Sequence, residues 1–278
     1  MNLIITPTRG ACGALIEGLD LSQALNKETV SRIRQTWLEH HVLVFPTQDI
    51  DDNDLERFSQ YFGNFANDPY IASIEGHKNV IELRRGANET TPIFADSWHT
   101  DWSFGEQPPA VTILYGITIP PHGGNTGFIN QQKALREMPK ALRERLDDKI
   151  ALHSAKLAYA PDGLYGEREN DGNRGFKIMT SESAYDVQAH PIIRKHPETG
   201  EESIFGCVGY IVGFEGMEAE EEQQLLTDLY KWQTREEFQY SHEWQAGMVV
   251  MWDNRSVLHK ANGGYEGHER VLHRTVIL

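Results

Sequence analysis

The segment Trp98-His99-Thr100-Asp101-Trp102 places a histidine and a carboxylate two residues apart. On a β-strand, residues i and i+2 point to the same face, so His99 and Asp101 can bind one metal ion from a single rigid element. A further histidine, His259, ends the segment Val257-Leu258-His259. Two histidines and one carboxylate form the facial triad that binds Fe(II) and leaves the opposite coordination positions open. The sequence therefore predicts an iron site built from two segments that are distant in the chain.

A second histidine–carboxylate pair, His196-Pro197-Glu198, is predicted to lie outside the metal site. Pro197 has no backbone N–H to donate to a strand ladder, and the following Thr199-Gly200 indicates a turn. We therefore place this pair on a hairpin loop, between strands predicted over residues 190–194 and 203–208.

Two arginines share one face of a strand predicted over residues 270–278. Side-chain alternation puts Arg270 and Arg274 on the same face as Leu272 and Val276. Guanidinium groups on an otherwise apolar face need anionic partners, and their geometry suits carboxylate, sulfonate or phosphate oxygens. Protein carboxylates are an alternative partner, because the chain has 41 Asp and Glu residues.

Several motifs together resemble a known enzyme family. They are Trp98-His99-Thr100-Asp101, Gly123-Gly124-Asn125-Thr126, Trp252-Asp253-Asn254-Arg255, His259 and Arg270-x3-Arg274. In order and spacing they resemble the taurine/2,4-dichlorophenoxyacetate (TauD/TfdA) family of Fe(II)- and 2-oxoglutarate-dependent dioxygenases, from about residue 5 to the end of the chain. The resemblance implies a mainly β fold with flanking helices, a double-stranded β-helix (jelly roll, cupin-like), as one domain over residues 1–278.

The resemblance also implies roles for individual residues. His99, Asp101 and His259 would bind Fe(II), at which 2-oxoglutarate and O₂ react. Arg270 and the Thr126 hydroxyl would bind the distal carboxylate of 2-oxoglutarate, and this fixed contact would orient the flexible diacid toward the metal. The products would be succinate, CO₂ and a hydroxylated substrate.

Arg274 and Asp68 are the candidate substrate-binding residues. Arg274 is expected to contact the carboxylate, sulfonate or phosphonate of a small-molecule substrate. In the taurine enzymes a His, a Tyr and an Asn stand where this chain has Asp68, Ile71 and Ala95, which weakens the case for taurine as the substrate. Asp68 is expected either to meet an amine or hydroxyl group of the substrate or to cap a turn before Pro69.

The most favoured function is hydroxylation of an unactivated C–H bond in a small, anionic molecule. One alternative is a family member that uses the same iron site for desaturation or another oxidation in a biosynthetic pathway. Two further alternatives are a non-catalytic metal-binding jelly-roll protein and a Zn²⁺ hydrolase with the same ligands. The pair formed by Arg270 and Thr126 argues against metal storage, because storage needs no 2-oxoglutarate site. The carboxylate of Asp101 argues against halogenation, in which that ligand is replaced to admit a halide.

Composition limits the partners and the location. The net charge of −15 argues against nucleic-acid binding, which needs a basic face. Two cysteines do not make a disulfide framework, and no apolar run reaches the ~18 residues of a membrane span. The N-terminal residues do not follow the signal-peptide pattern. We expect a cytoplasmic homo-oligomer, a dimer or a tetramer, without nucleic-acid or membrane partners.

Apolar periodicity predicts helices and strands along the whole chain. Helices are predicted over 27–40, after Asp51 or Asp52, over 139–147 and over 218–232, and further strands over 3–6, 42–45, 80–83, 110–119, 151–159, 237–242, 248–252 and 257–259. Residues 160–187 are polar and lack strong periodicity, and a segment of this kind is often a functional lid. Its aromatic residues Tyr165, Phe176 and Tyr185 favour a substrate lid, with an ordinary surface loop as the alternative.

Overall fold

The structure is a computed structural model that describes residues 3–166 and 173–278. Its strands are β1 Ile4–Pro7, β2 Ala14–Glu17, β3 Val42–Phe45, β4 Ile81–Arg85, β5 Val111–Thr118, β6 Thr126–Asn130, β7 Ile150–His153, β8 Gln188–Pro191, β9 Ile193–Lys195, β10 Glu202–Ile204, β11 Ile211–Phe214, β12 Gln239–His242, β13 Val249–Asp253, β14 Val257–Ala261 and β15 Arg270–Ile277. The helices are α1 Lys27–His40, α2 Asp52–Gln60, α3 Gln131–Arg136, α4 Lys140–Leu146, α5 Lys156–Tyr159 and α6 Ala219–Gln233. Two short 3₁₀ helices cover Glu182–Tyr185 and Glu236–Phe238.

The largest sheet has seven strands in the order β1-β2-β3-β13-β5-β15-β4. Its neighbouring strands are antiparallel except for the parallel pair β2 and β3. A smaller sheet, β12-β6-β14, places β6 in its centre. Strands that neighbour each other here are far apart in sequence, so both sheets bring distant segments together.

An apolar layer fills the space between these two sheets. Alternate residues of the large sheet, including Val44, Val250 and Leu272, form one buried cluster with Phe128 of β6 and Val257 of β14. Because side chains alternate along a strand, the residues between them face the opposite side. The two sheets therefore pack face to face, with the inner residues of β6, β14 and β15 directed toward a common interior.

Helices cover the outer faces of this β core. Trp37 of α1 and Phe58 of α2 pack with Phe45 and Met251 on the outer face of the large sheet. The apolar side of α6 packs with Leu258 of β14 on the outer face of the small sheet. The fold is therefore mainly β with flanking helices, as predicted.

Most of the predicted elements are confirmed. The helices over 27–40, 139–147 and 218–232 correspond to α1, α4 and α6, and the side chain of Asp51 caps α2 by accepting from the Asp54 N–H. The strand predicted over 151–159 is wrong in its second half, because β7 ends at His153 and α5 follows it. Ser154 explains the change, since its hydroxyl accepts a hydrogen bond from the Lys156 N–H and so favours a turn at this point.

The predicted lid segment is ordered where the structure describes it. Ile178 forms a β-bridge with Ile71, and Tyr165 is buried, whereas Tyr185 is exposed on a 3₁₀ helix. Residues 167–172 of the predicted lid lie outside the described residues. Within the two described ranges, the helices are too short or too polar to cross a membrane.

Candidate active site

Backbone pairing holds His99 next to His259. The two residues form an isolated antiparallel bridge, in which the His99 N–H donates to the His259 carbonyl at 3.0 Å and the reverse bond measures 2.8 Å. His259 lies on β14. The prediction that His99 and Asp101 share a strand is wrong, because Asp101 lies in a turn after this bridge. Trp102 has a φ of 45°, a left-handed conformation that bends the chain away from an extended path.

The three side chains nevertheless meet at one point. Asp101 Oδ1 lies 3.7 Å from His99 Nε2 and 3.7 Å from His259 Nε2. All three residues are buried, and one ligand atom from each lies within 4.8 Å of the others. In the part of the chain that the structure describes, this is the one group of three such residues that could hold a metal ion. Two imidazole nitrogens and one carboxylate oxygen, converging on one side, suit Fe(II).

The surroundings of His259 and Asp101 favour the binding of a cation. Burial, helped by the neighbouring His99, lowers the pKa of His259 to about 3, so its imidazole is neutral and has a lone pair available. Burial alone would raise the pKa of Asp101, but His259, Arg274 and His99 outweigh it and lower that pKa. The Thr112 hydroxyl donates to Asp101 Oδ2 at 2.5 Å, which leaves Oδ1 toward the histidines.

Arg270 has a buried guanidinium without an anionic partner. Its Nη2 donates to the Gly124 carbonyl at 3.1 Å, and its charge lies 5.9 Å from the centre of the Tyr265 ring. None of the carboxylates among the described residues pairs with it, and its buried Nε has no hydrogen-bond partner there. Burial lowers the pKa of Arg270 to about 10, which still leaves it charged at neutral pH. A buried guanidinium of this kind favours the binding of an anion.

Thr126 lies beside Arg270, at the start of β6. The buried hydroxyl of Thr126 accepts a hydrogen bond from the indole Nε1–H of Trp244 at 2.9 Å. Because that bond uses an acceptor position, the hydroxyl hydrogen is free to be donated to a ligand. Thr126 and Arg270 line a cavity together with His99 and Asp101. This arrangement can accept both ends of a dicarboxylate, one at the metal site and one at Arg270.

Arg274 lines the same cavity but has a partner in the chain. Its Nη2 donates to Asp68 Oδ2, and both side chains are almost fully buried. Burial lowers the pKa of Arg274, but Asp68 and Asp101 outweigh it, so that pKa is raised. The other Asp68 oxygen accepts from the N–H groups of Tyr70 and Ile71 at 2.7 and 2.8 Å. The turn-capping alternative for Asp68 is therefore present in the structure, as is the protein-carboxylate alternative for Arg274.

A second cavity also adjoins the metal site. It shares His99, Asp101 and Arg274 with the first cavity. The rest of its wall is mostly aromatic and apolar, and includes Phe94, Trp102, Tyr159, Leu164, Tyr165 and Tyr210. This wall suits an apolar substrate chain.

Only part of this aromatic wall was predicted from the sequence. The predicted aromatic residues Tyr165 and Phe176 line the second and the first cavity, respectively. Tyr159 and Tyr210 were not predicted, because their burial in the same cluster depends on contacts distant in sequence. The ring of Tyr210 lies 6.2 Å from that of His99 in an edge-on arrangement. A regular spacing that could have indicated these two tyrosines is lacking in the sequence.

The histidine of the second histidine–carboxylate pair lies away from this site. His196 lies at the turn between β9 and β10, so the predicted hairpin is confirmed. Its Nε2 is 2.9 Å from Asp253 Oδ2, and both side chains are buried. Asp253 also pairs with Arg255 at 2.7 Å, so this cluster is a closed ion-pair network.

Comparison with known proteins agrees with this geometry. The family model described as "Taurine catabolism dioxygenase TauD, TfdA family" matches residues 5–276. An alkylsulfatase from Acinetobacter baylyi is 33% identical, over 96% of this chain and 82% of its own. An alpha-ketoglutarate-dependent sulfate ester dioxygenase from Pseudomonas putida is 32% identical, over 100% of this chain and 90% of its own.

Solved structures give the same result for the fold. The crystal structure of a taurine dioxygenase from Burkholderia xenovorans superposes with a TM-score of 0.81 and 28% identity, covering 100% of this chain and 89% of that one. The predicted double-stranded β-helix is confirmed. The chain belongs to the TauD/TfdA family, and it is an Fe(II)- and 2-oxoglutarate-dependent dioxygenase.

Proposed function

We propose that this enzyme hydroxylates a small alkyl sulfate ester at the carbon that bears the ester oxygen. The observation that carries the proposal is the second cavity. Among the described residues that line it, mostly aromatic side chains are combined with one guanidinium, that of Arg274, next to the metal site. An alkyl sulfate ester matches this cavity, because it also has a charged part, the sulfate, joined directly to an apolar chain. The two relatives named for sulfate esters support this choice over taurine, whose amine has no equivalent in such a substrate.

The residue roles in this proposal follow from the two cavities. His99, Asp101 and His259 hold Fe(II), and Arg270 with Thr126 holds the distal carboxylate of 2-oxoglutarate. When bound, the iron with 2-oxoglutarate and O₂ supplies an oxidant able to remove hydrogen from an unactivated C–H bond. The fixed position of Arg270 orients the diacid, and the aromatic wall excludes water from the reacting carbon.

Arg274 orients the substrate by its charged head. With the sulfate at Arg274 and the alkyl chain along Tyr159, Tyr165 and Tyr210, the carbon next to the ester oxygen lies closest to the metal ligands. Hydroxylation there gives a carbon that bears both a hydroxyl and a sulfate group. Its C–O bond to sulfate then breaks as the hydroxyl loses its proton, so an aldehyde and hydrogen sulfate leave.

A substrate panel tests the proposal. Hexyl sulfate, taurine and 2,4-dichlorophenoxyacetate are each supplied with Fe(II), 2-oxoglutarate and O₂, and succinate, sulfate and aldehyde are measured. We expect hexyl sulfate to give succinate, sulfate and hexanal in equal amounts, and the other two compounds to give much less product. Equal or better turnover of either other compound would contradict a sulfate ester as the substrate class.

We also propose that the chain is one domain in which residues 160–187 act as a lid. Phe176 lines the first cavity, and the Glu89 carboxylate, which also lines it, accepts a hydrogen bond from the Gly175 N–H at 2.9 Å. These contacts connect the described end of the segment to the cavity wall. Hydrogen exchange in residues 160–187 should slow when 2-oxoglutarate and substrate bind. Equal rates of hydrogen exchange with and without ligands would show that the segment is an ordinary surface loop.

The location and assembly are also proposals. We propose a cytoplasmic homo-oligomer, a dimer or a tetramer, that acts on a small molecule without nucleic-acid or membrane partners. The net charge of −15 supports the absence of nucleic-acid binding. Light scattering after size-exclusion chromatography measures the assembly directly, and a monomer would contradict it.

A further inference from the structure

We propose that Asp68 acts through Arg274 to make the substrate cavity select singly charged heads over doubly charged ones. The inference rests on the proposed function, because it concerns the head of the same substrate. It assigns to Asp68 a positioning and charge-balancing role and does not require the carboxylate to touch the substrate.

Asp68 lies behind Arg274 as seen from the cavities. Arg274 lines both cavities, whereas Asp68 is absent from the described residues that line either one. The Asp68 side chain is 3% exposed and the Arg274 side chain is 7% exposed, so solvent does not separate the two charges. A substrate head at Arg274 therefore meets a guanidinium whose charge is already balanced from the other side.

Three donors hold the Asp68 carboxylate in place. One oxygen accepts from the N–H groups of Tyr70 and Ile71, and the other accepts from Arg274. Burial raises the pKa of Asp68 overall, and these same three donors reduce the rise. Each donor favours the charged carboxylate, because it donates to an oxygen that carries the negative charge. The ion pair is therefore a built part of the site and does not result from a chance surface contact.

The charges on the substrate side of the metal leave little room for a second negative charge. Among the described residues that line the second cavity, Arg274 is the one guanidinium and Asp101 the one carboxylate. Burial raises the pKa of Tyr159 and Tyr210, so both phenols stay neutral. Arg270 is assigned to 2-oxoglutarate. A singly charged head can share Arg274 with Asp68, whereas a second charge would be buried without a partner.

A matched pair of ligands with the same chain tests this inference. Hexyl sulfate carries one negative charge, and hexyl phosphate carries about two at pH 8, because the second pKa of a phosphate monoester is about 6. Binding of each is measured by calorimetry without oxygen, on the full chain loaded with Fe(II) and 2-oxoglutarate. This readout reports affinity without requiring turnover.

The informative variant is Asp68→Asn, since the amide oxygen can still accept from the Tyr70 and Ile71 N–H groups while the charge is lost. We expect the unchanged protein to bind hexyl sulfate more tightly than hexyl phosphate. In the variant, hexyl phosphate should gain more affinity than hexyl sulfate. The dissociation constant of hexyl phosphate divided by that of hexyl sulfate should therefore fall by about tenfold or more. If the Asn variant is unstable, Asp68→Ser preserves a turn-capping oxygen and replaces it in the test.

Asp52→Asn is the matched control. Asp52 Oδ1 lies 2.6 Å from His273 Nδ1, so it contacts the same strand on the face opposite to Arg274. This substitution removes the same formal charge from the protein and should leave the ratio unchanged.

The outcomes separate the two proposals. If the sulfate binds and turns over but Asp68→Asn leaves the ratio unchanged, the role of Asp68 is wrong and the proposed function stands. Equal binding of both ligands by the unchanged protein would also overturn the role of Asp68. If neither ligand binds, the sulfate-ester function fails, and the inference fails with it.

Discussion

Arg270 and Arg274 lie on the same face of β15, but the partners of their guanidinium groups differ. Arg270 has no carboxylate partner among the described residues, whereas Arg274 is paired with Asp68. Burial lowers the pKa of Arg270, while Asp68 and Asp101 raise that of Arg274. A buried arginine without a partner favours a ligand that balances its charge. For a buried arginine with a partner, the partner already balances part of the charge that a ligand meets.

The Arg270 side of the site is also more tightly constrained. Gly124 has a φ of +68°, and a Cβ at this position would lie 3.1 Å from Arg270 Nε. Only glycine therefore allows the turn to pass this close to the guanidinium. We propose that 2-oxoglutarate binds on this side, whereas the cavity wall near Arg274 is mostly aromatic.

The largest effect should come from the metal site that both arginines face. His259→Ala removes one of three ligands, and we expect it to abolish the weak charge-transfer band of the Fe(II)–2-oxoglutarate complex together with succinate formation. The exposed His122 provides the control, and His122→Ala should retain both signals. Turnover by His259→Ala at the rate of the unchanged protein would exclude His259 as a ligand.

Arg270→Gln should have the next largest effect. The substitution leaves the distal carboxylate of 2-oxoglutarate in a buried place without its charged partner, a loss of about 2–5 kcal/mol. We expect the dissociation constant for 2-oxoglutarate, measured from the charge-transfer band without substrate, to rise by about thirtyfold or more. An unchanged constant would show that the unpaired guanidinium serves another ligand.

Arg274→Gln should separate the two arginines. The residues are four apart, or about 13 Å along an extended strand, so they can serve opposite ends of the site. We expect nearly normal binding of 2-oxoglutarate, but succinate formed with little hydroxylated product, because the substrate head is no longer anchored. The ratio of product to succinate measures this uncoupling. If 2-oxoglutarate binding weakened as much as in Arg270→Gln, both arginines would belong to the co-substrate site.

Local patterns predicted the parts of the site that depend on spacing. The two-residue period of β15 placed Arg270 and Arg274 on one face, and both line the same cavity. The spacing of His99 and Asp101 indicated one metal site, although the physical reason was wrong. The two side chains converge through a bridge and a turn and do not lie on one strand.

Contacts between distant segments could not be predicted in this way. The partner of Arg274 lies 206 residues away at Asp68, and that of Thr126 lies 118 residues away at Trp244. Such pairs depend on which strands become neighbours, and neither periodicity nor local turn chemistry contains that information. The second half of the strand predicted over 151–159 was wrong for a local reason. The hydroxyl of Ser154 stabilises a turn there, whereas the prediction relied on the apolar residues alone.

The smallest effect should come from Thr126, which supports the Arg270 side. Thr126→Val keeps the shape but removes the hydroxyl that would donate to 2-oxoglutarate, and one hydrogen bond contributes about 1 kcal/mol, so the dissociation constant should rise about fivefold. Thr126→Ser retains the hydroxyl and should bind nearly normally.

Trp244 determines how this result is interpreted, because Thr126→Val also leaves the indole N–H unpaired. Trp244→Phe removes that N–H while retaining an aromatic ring. If the Thr126 hydroxyl contacts 2-oxoglutarate, Thr126→Val should weaken 2-oxoglutarate binding even in a protein that already carries Trp244→Phe. If Thr126→Val had no effect in that background, its effect in the unchanged protein would come from the lost Trp244 bond. Arg270 would then hold the distal carboxylate without help from Thr126.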